Sequence, residues 1–147
     1  MPIKTTCELE YYIKTLYEKI KPYAEIEQIY QPISTHFAKT TPNNYPGSFC
    51  YSDEKNYFYG GVGDRGAVTI EKANNEFEVA YWVFKFHISE IAFDYEKKHR
   101  IEGQDIRRIA FQKYLELMEI IGEEYIEQAK KEIDEILERH PFHDELL

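Results

Sequence analysis

The groups in this chain with the types and spacing for chemistry gather over residues 94–111, and they favour ion pairing over catalysis. Glu96 and Arg100 stand four apart, the spacing at which a carboxylate and a guanidinium meet on one helical face. Asp105 sits where a carboxylate can cap a new helix, with Arg107 and Arg108 pointing to different sides of that helix. If the flanking helices fold back on each other, Glu96, Arg100, Asp105 and one arginine form a charged clasp that fixes the helix–helix angle through bidentate contacts. With Tyr59 added, Glu96, Arg100 and Asp105 also outline a second reading, a polar site for a small ligand or the substrate of a small enzyme. Paired charges would favour the clasp, and a deep pocket with displaced titrations would favour the ligand site.

Elsewhere the catalytic groups are scattered. Ser34, Ser48, Ser52 and Ser89 are the only serines, and none lies in a Gly-x-Ser-x-Gly elbow. Gly60-Gly61-Val62-Gly63 has no Lys-Ser/Thr behind it and leads into a strand, so it reads as a turn or a close backbone approach rather than a phosphate cradle. His87 and His99 stand alone in a helical stretch. His140, His143 and Asp144 could hold a metal in principle, but they fall in a proline-containing tail with no organised surroundings. Cys7 and Cys50 are too few for a disulfide framework and read as reduced thiols. The expectation is a protein without cofactor, metal or catalytic set.

The elements that must position these groups follow from periodicity. Thr5 and Glu8 have capping-box spacing, and Leu9, Tyr12, Leu16, Tyr17 and Ile20 share the face of a first helix that Pro22 is expected to end. Residues 23–47 read as mostly loop, with a short helix or strand near 25–30. Strands over 49–52, 56–62 and 67–71, joined by 53–56 and 63–66, predict an antiparallel meander. Beyond Ala73 come three amphipathic helices. Phe77, Tyr81, Phe84, Ile88, Ala92 and Tyr95 line the first; Ile106, Ile109, Ala110, Tyr114, Leu117 and Ile121 the second; Tyr125, Ala129, Ile133, Ile136 and Leu137 the third. The predicted class is α+β, mostly helical: an N-terminal helix, a small antiparallel three-stranded sheet, then three antiparallel-packed helices, all in one domain over residues 1–147.

Charge is uneven along the chain. Of a net −9, residues 116–147 carry eleven acidic groups against three basic ones, while the rest is nearly balanced. That acidic end argues against nucleic acid as a partner and for a basic protein. No signal peptide and no apolar run of membrane-spanning length is visible, so the expected location is the cytoplasm, away from membranes.

Several of these residues carry a family resemblance. Tyr81-Trp82-Val83-Phe84, Asp94-Tyr95-Glu96 with His99-Arg100, Gln104-Asp105-Ile106-Arg107-Arg108 with Phe111-Gln112-Lys113, and Leu115-Glu116-Leu117 resemble the immunity protein 63 family. The closing Glu132-Ile133-x-x-Ile136-Leu137-x-x-His140-Pro141-Phe142-x-Asp144 is similar to that family's end, so the resemblance spans residues 57–144. It implies an antitoxin of a bacterial polymorphic toxin system, which neutralises a cognate secreted toxin by stoichiometric binding and carries no catalytic residue. Immunity proteins commonly block nucleases, whose grooves are basic. The acidic faces of the last two helices are therefore the expected contact, with Glu123, Glu124, Glu127, Asp134 and Glu135 as contact residues and Tyr125 as an aromatic anchor. A homodimeric interaction module is a third reading.

Overall fold

The computed structural model describes residues 3–145. Helix α1, Thr6–Tyr17, opens on the expected capping box: the Glu8 N–H donates to Thr5 Oγ1 at 3.1 Å and the Thr5 N–H donates to Glu8 Oε1 at 2.9 Å. Pro22 does not end the helical run. A 3₁₀ turn over Glu18–Ile20 leads into a short α2, Lys21–Ile26, with Pro22 in its first turn. There the missing N–H breaks no bond, so proline restarts a helix where the sequence pattern suggested a stop.

The sheet is an antiparallel meander in the order β1-β2-β3, with β1 at Gly47–Ser52, β2 at Tyr57–Val62 and β3 at Val68–Ala73. The strands start or end one or two residues from their expected bounds, because β3 stays paired to β2 as far as Ala73 opposite Tyr57. Register runs without interruption across both pairs, so Gly60 and Gly61 form no bulge. Asp53 shapes the first hairpin, its carboxylate accepting the Lys55 and Asn56 N–H groups at 2.7 Å each.

Helix α3, Glu76–Lys98, is capped by Asn75, whose side chain accepts the Glu78 N–H at 2.9 Å. Its buried arc is wider than one stripe: Val79, Ala80, Tyr81, Val83, Phe84, His87, Ile88, Ile91, Ala92 and Glu96 are all buried. Helices α4, Ile106–Ile121, and α5, Glu123–Arg139, meet at Gly122. A side chain there would press on the Tyr125 ring, 3.2 Å from the Cβ position. The start of α4 meets the end of α5, where Arg107 donates to the His140 carbonyl at 2.9 Å, so the two run antiparallel.

Two compact units result. One comprises residues up to Leu16 together with Pro32–Phe84, holding most of α1, the sheet and the first part of α3. Its core includes Leu9, Ile13, Phe49, Cys50 and Val62. The other comprises Tyr17–Gln31 and the chain from Lys85 onward, holding α2, the rest of α3, α4 and α5. Its core includes Ile88, Ile91, Leu117, Met118, Ile121, Ala129 and Ile133.

His87 belongs to that second core, 2% exposed, with the Tyr17 ring at 6.2 Å and the Phe86 ring at 5.1 Å. Burial pushes its imidazole down to about 4. The native residue therefore stays neutral while the unfolded chain takes up a proton near pH 6.5. More protons on the unfolded state mean that stability falls as pH drops from about 6.5 to 4. Urea midpoints measured across that window should fall more steeply for the wild type than for His87→Gln.

Candidate functional site

The charged corner forms, but as two separate pairs. Glu96, in the last turns of α3, is 1% exposed, and Arg100 grips it with both Nε and Nη2, at 3.0 and 2.8 Å. Those hydrogen bonds hold the Glu96 carboxyl below the usual carboxylate range. Because Arg100, two residues beyond the end of α3, is satisfied by Glu96 four positions before it, the four-residue clasp does not close. Among the described residues, no hydrogen bond joins this pair to Asp105.

Asp105 instead organises the start of α4. Its carboxylate accepts the Arg107 N–H at 3.0 Å as an N-cap, the Arg107 guanidinium at 2.8 Å and the His143 N–H at 2.8 Å. The Arg107 hydrogen bonds, the largest cause, hold its carboxyl far below the ordinary range. Arg107 also donates to the carbonyls of His140 and Pro141, at 2.9 Å each, satisfying acceptors at the end of α5. Arg108 pairs with Asp144 at 2.9 Å and lies 4.3 Å from the Phe142 ring centre. Asp144 in turn accepts the Asp105 N–H at 2.7 Å, and the Glu145 N–H donates to the Gly103 carbonyl at 2.7 Å. The tail that read as loose is thus strapped across the first turn of α4. The Asp144 carboxylate, a candidate metal ligand in the sequence, is taken by Arg108. No group of three or more metal-binding side chains occurs among the described residues.

Replacing Asp105 with alanine should cost about 1–2 kcal/mol through the lost cap alone, and should speed amide exchange at His143. The pH dependence follows from the lowered carboxyls of Asp105, Asp144 and Glu96. Each contributes stability that is complete above its unfolded value and is lost as pH falls through its lower folded value. The wild type should therefore weaken progressively below about pH 4. Asp105→Asn, less stable at neutral pH, should lose less on acidification, as thermal midpoints between pH 6 and 3 would record.

Tyr59, the other residue of the ligand-site reading, lies on β2 with its ring 6.2 Å from Trp82. It belongs to the first unit, whereas Glu96, Arg100 and Asp105 belong to the second. Both thiols are free, and burial pushes the Cys50 thiol up to about 12, leaving it undissociated at neutral pH.

The acidic residues stand differently. Glu123, Glu124, Glu127, Asp134 and Glu135 are all exposed on α5. Among the described residues, no ion pair or hydrogen bond engages their carboxylates. At about 100° per residue they fall within an arc of about 120°. Glu138 lies in the same arc and is exposed too. Its position four residues after Asp134 was the signal that would have placed it in the set. Lys130 and Lys131 share the face and offset part of its charge. On α4, Glu116 is turned toward Lys113 at 3.5 Å, while Glu119 is exposed. Tyr125 is corrected: it is 5% exposed and points away from the acidic arc into the α4–α5 core. It stands on the same stripe as Ala129 and Ile133, and that stripe is buried, so it is not an exposed anchor.

Among the described residues, no helix is long and apolar enough to cross a membrane. No match to the chain was found among curated proteins or among solved structures. A family model described as Immunity protein 63 matches residues 54–135, from the first hairpin turn to Glu135 on α5. That interval takes in the Glu96–Arg100 pair, the Asp105 cap and most of the acidic face, and it stops before the strapped tail. With more than half of its length matched, the chain belongs to the immunity protein 63 family, and its partner is a protein toxin.

Proposed function

We propose that this protein neutralises its cognate toxin by stoichiometric binding in the cytoplasm, through the acidic face of α5, and that the toxin surface it meets is basic. The observation that carries this reading is the row of exposed, unpaired carboxylates at Glu123, Glu124, Glu127, Asp134 and Glu135. Elsewhere acidic side chains such as Glu96, Asp105 and Asp144 are committed to arginines. Unpaired surface charge of one sign steers association with a surface of the opposite sign. The substrate groove of a nuclease is such a surface, since it must neutralise phosphates. A carboxylate-rich helix seated in that groove would keep substrate out without any chemistry of its own.

The competing ligand-site reading needs free polar groups at Glu96, Arg100 and Asp105, and those carboxylates are already saturated by neighbouring guanidiniums. Titrating purified toxin domain with this protein should reduce toxin activity linearly, to zero at equal molar amounts. Complete inactivation by a small fraction of an equivalent would indicate turnover and overturn the binding mechanism.

A further inference from the structure

Strand β3 is the open edge of the sheet. Its residues Val68 to Lys72 are all exposed, and Val68 and Ile70 are each 49% exposed despite their apolar side chains. The opposite edge is covered at its centre, because His36 bridges to Phe49, donating its N–H to the Ser48 carbonyl at 2.9 Å and accepting the Cys50 N–H at 2.8 Å. On the β3 side the Gly63 N–H donates to the Ala67 carbonyl at 2.9 Å, which sets the phase of the ladder. In that phase the backbone groups of 67, 69, 71 and 73 face β2, and those of Val68, Ile70 and Lys72 point outward. No hydrogen bond engages these outward groups among the described residues. The edge has no proline and no bulge, and its only charged residues are Glu71 and Lys72. Of the devices that protect an edge, proline, a bulge and a covering segment are absent among the described residues, and only the charges of Glu71 and Lys72 are present.

We propose that β3 pairs with β3 of a second copy of this chain, antiparallel about a two-fold axis at Ile70, joining two three-stranded sheets into one of six strands. Centres at Thr69 and Glu71 keep the same phase but pair only two outward residues of each copy, whereas about Ile70 all three pair. Ile70 then faces Ile70 of the second copy, Val68 faces Lys72, and Thr69 faces Glu71, so no like charges are opposed. Centring on Lys72 would set two ammonium groups face to face. Centring on Val68 would run Ile70 against the Gly66 turn and shorten the ladder. With net charge −9, each copy repels the other. The dimer is therefore weak at low salt and tightens as salt screens the repulsion. Association between an acidic helix and a basic toxin changes with salt in the opposite direction, so the two contacts are distinguishable, and this proposal stands whether or not the toxin is basic.

Sedimentation equilibrium of the full chain tests it, from about 10 µM to about 1 mM, the range of weak transient interfaces. The measurement is made at about 50 mM and about 500 mM NaCl. The mass should rise from 17.6 kDa toward twice that value, and more readily at the higher salt. Ile70→Lys places like charges opposite each other and should weaken association at least about tenfold. Ile70→Pro removes only an outward N–H, so it should do the same while β2–β3 pairing persists. Unchanged far-ultraviolet circular dichroism and thermal midpoints show that each variant is folded. A monomer at every concentration and salt overturns the proposal, and so does a dimer that survives both folded variants. A monomer whose affinity for toxin falls with Ile70→Lys would assign the edge to a toxin strand, which also overturns it.

Discussion

Reversing Glu123, Glu127 and Asp134 to lysine should slow association with the toxin by about 100-fold at low ionic strength and leave the fold intact. All three side chains are exposed on the face of α5 opposite the buried Tyr125, Ala129 and Ile133, so none supports the α4–α5 core. None has an ion-pair partner among the described residues, so no buried charge is stranded by the change. The effect is therefore electrostatic and should appear in the association rate more than in the dissociation rate. Cells carrying the toxin should lose protection in step with that rate. Reversal at Glu116, which is already turned toward Lys113, should change the rate far less.

Replacing Gly60 with alanine should lower stability by about 2–3 kcal/mol, a fall in thermal midpoint of roughly 5–10 °C. Gly60 sits at the centre of β2, between Phe49 on β1 and Ile70 on β3. A Cβ added there collides with the Thr69 carbonyl oxygen and stands 2.7 Å from Phe49 Cζ. Neither neighbour yields cheaply: the carbonyl is part of the ladder, and Phe49 is fully buried. Gly61 is the control, because a Cβ there meets nothing closer than the Gly47 carbonyl at 3.5 Å. Gly61→Ala should cost well under half as much. Equal costs in urea denaturation would show that backbone freedom, rather than the space beneath Phe49, explains this glycine pair.

What could be read from the sequence was mostly local. The Thr5/Glu8 capping box, the Asp105 cap and the Glu96–Arg100 pair each join residues two to four positions apart, where helix geometry dictates who meets whom. The meander was legible because short aromatic and β-branched runs were separated by turn residues. Pro22 misled because proline both ends helices and begins them, and only the chain beyond it decides which. The strap of His143 and Asp144 onto Asp105 and Arg108 joins residues more than thirty positions apart, and no spacing rule reaches that far. Tyr125 is a different case. Its place on the stripe with Ala129 and Ile133 already implied burial, and helical geometry would have separated it from the acidic arc.

The central claim is that carboxylates on α5 draw a basic toxin surface. The most direct measurement is the association rate with the cognate toxin domain across a salt series, for the wild type and for the Glu123→Lys, Glu127→Lys, Asp134→Lys triple variant. The wild-type rate should fall steeply from about 50 mM to about 500 mM salt, while the variant's rate stays low and nearly flat. Equal rates for the two proteins, with no dependence on salt in either, would contradict it.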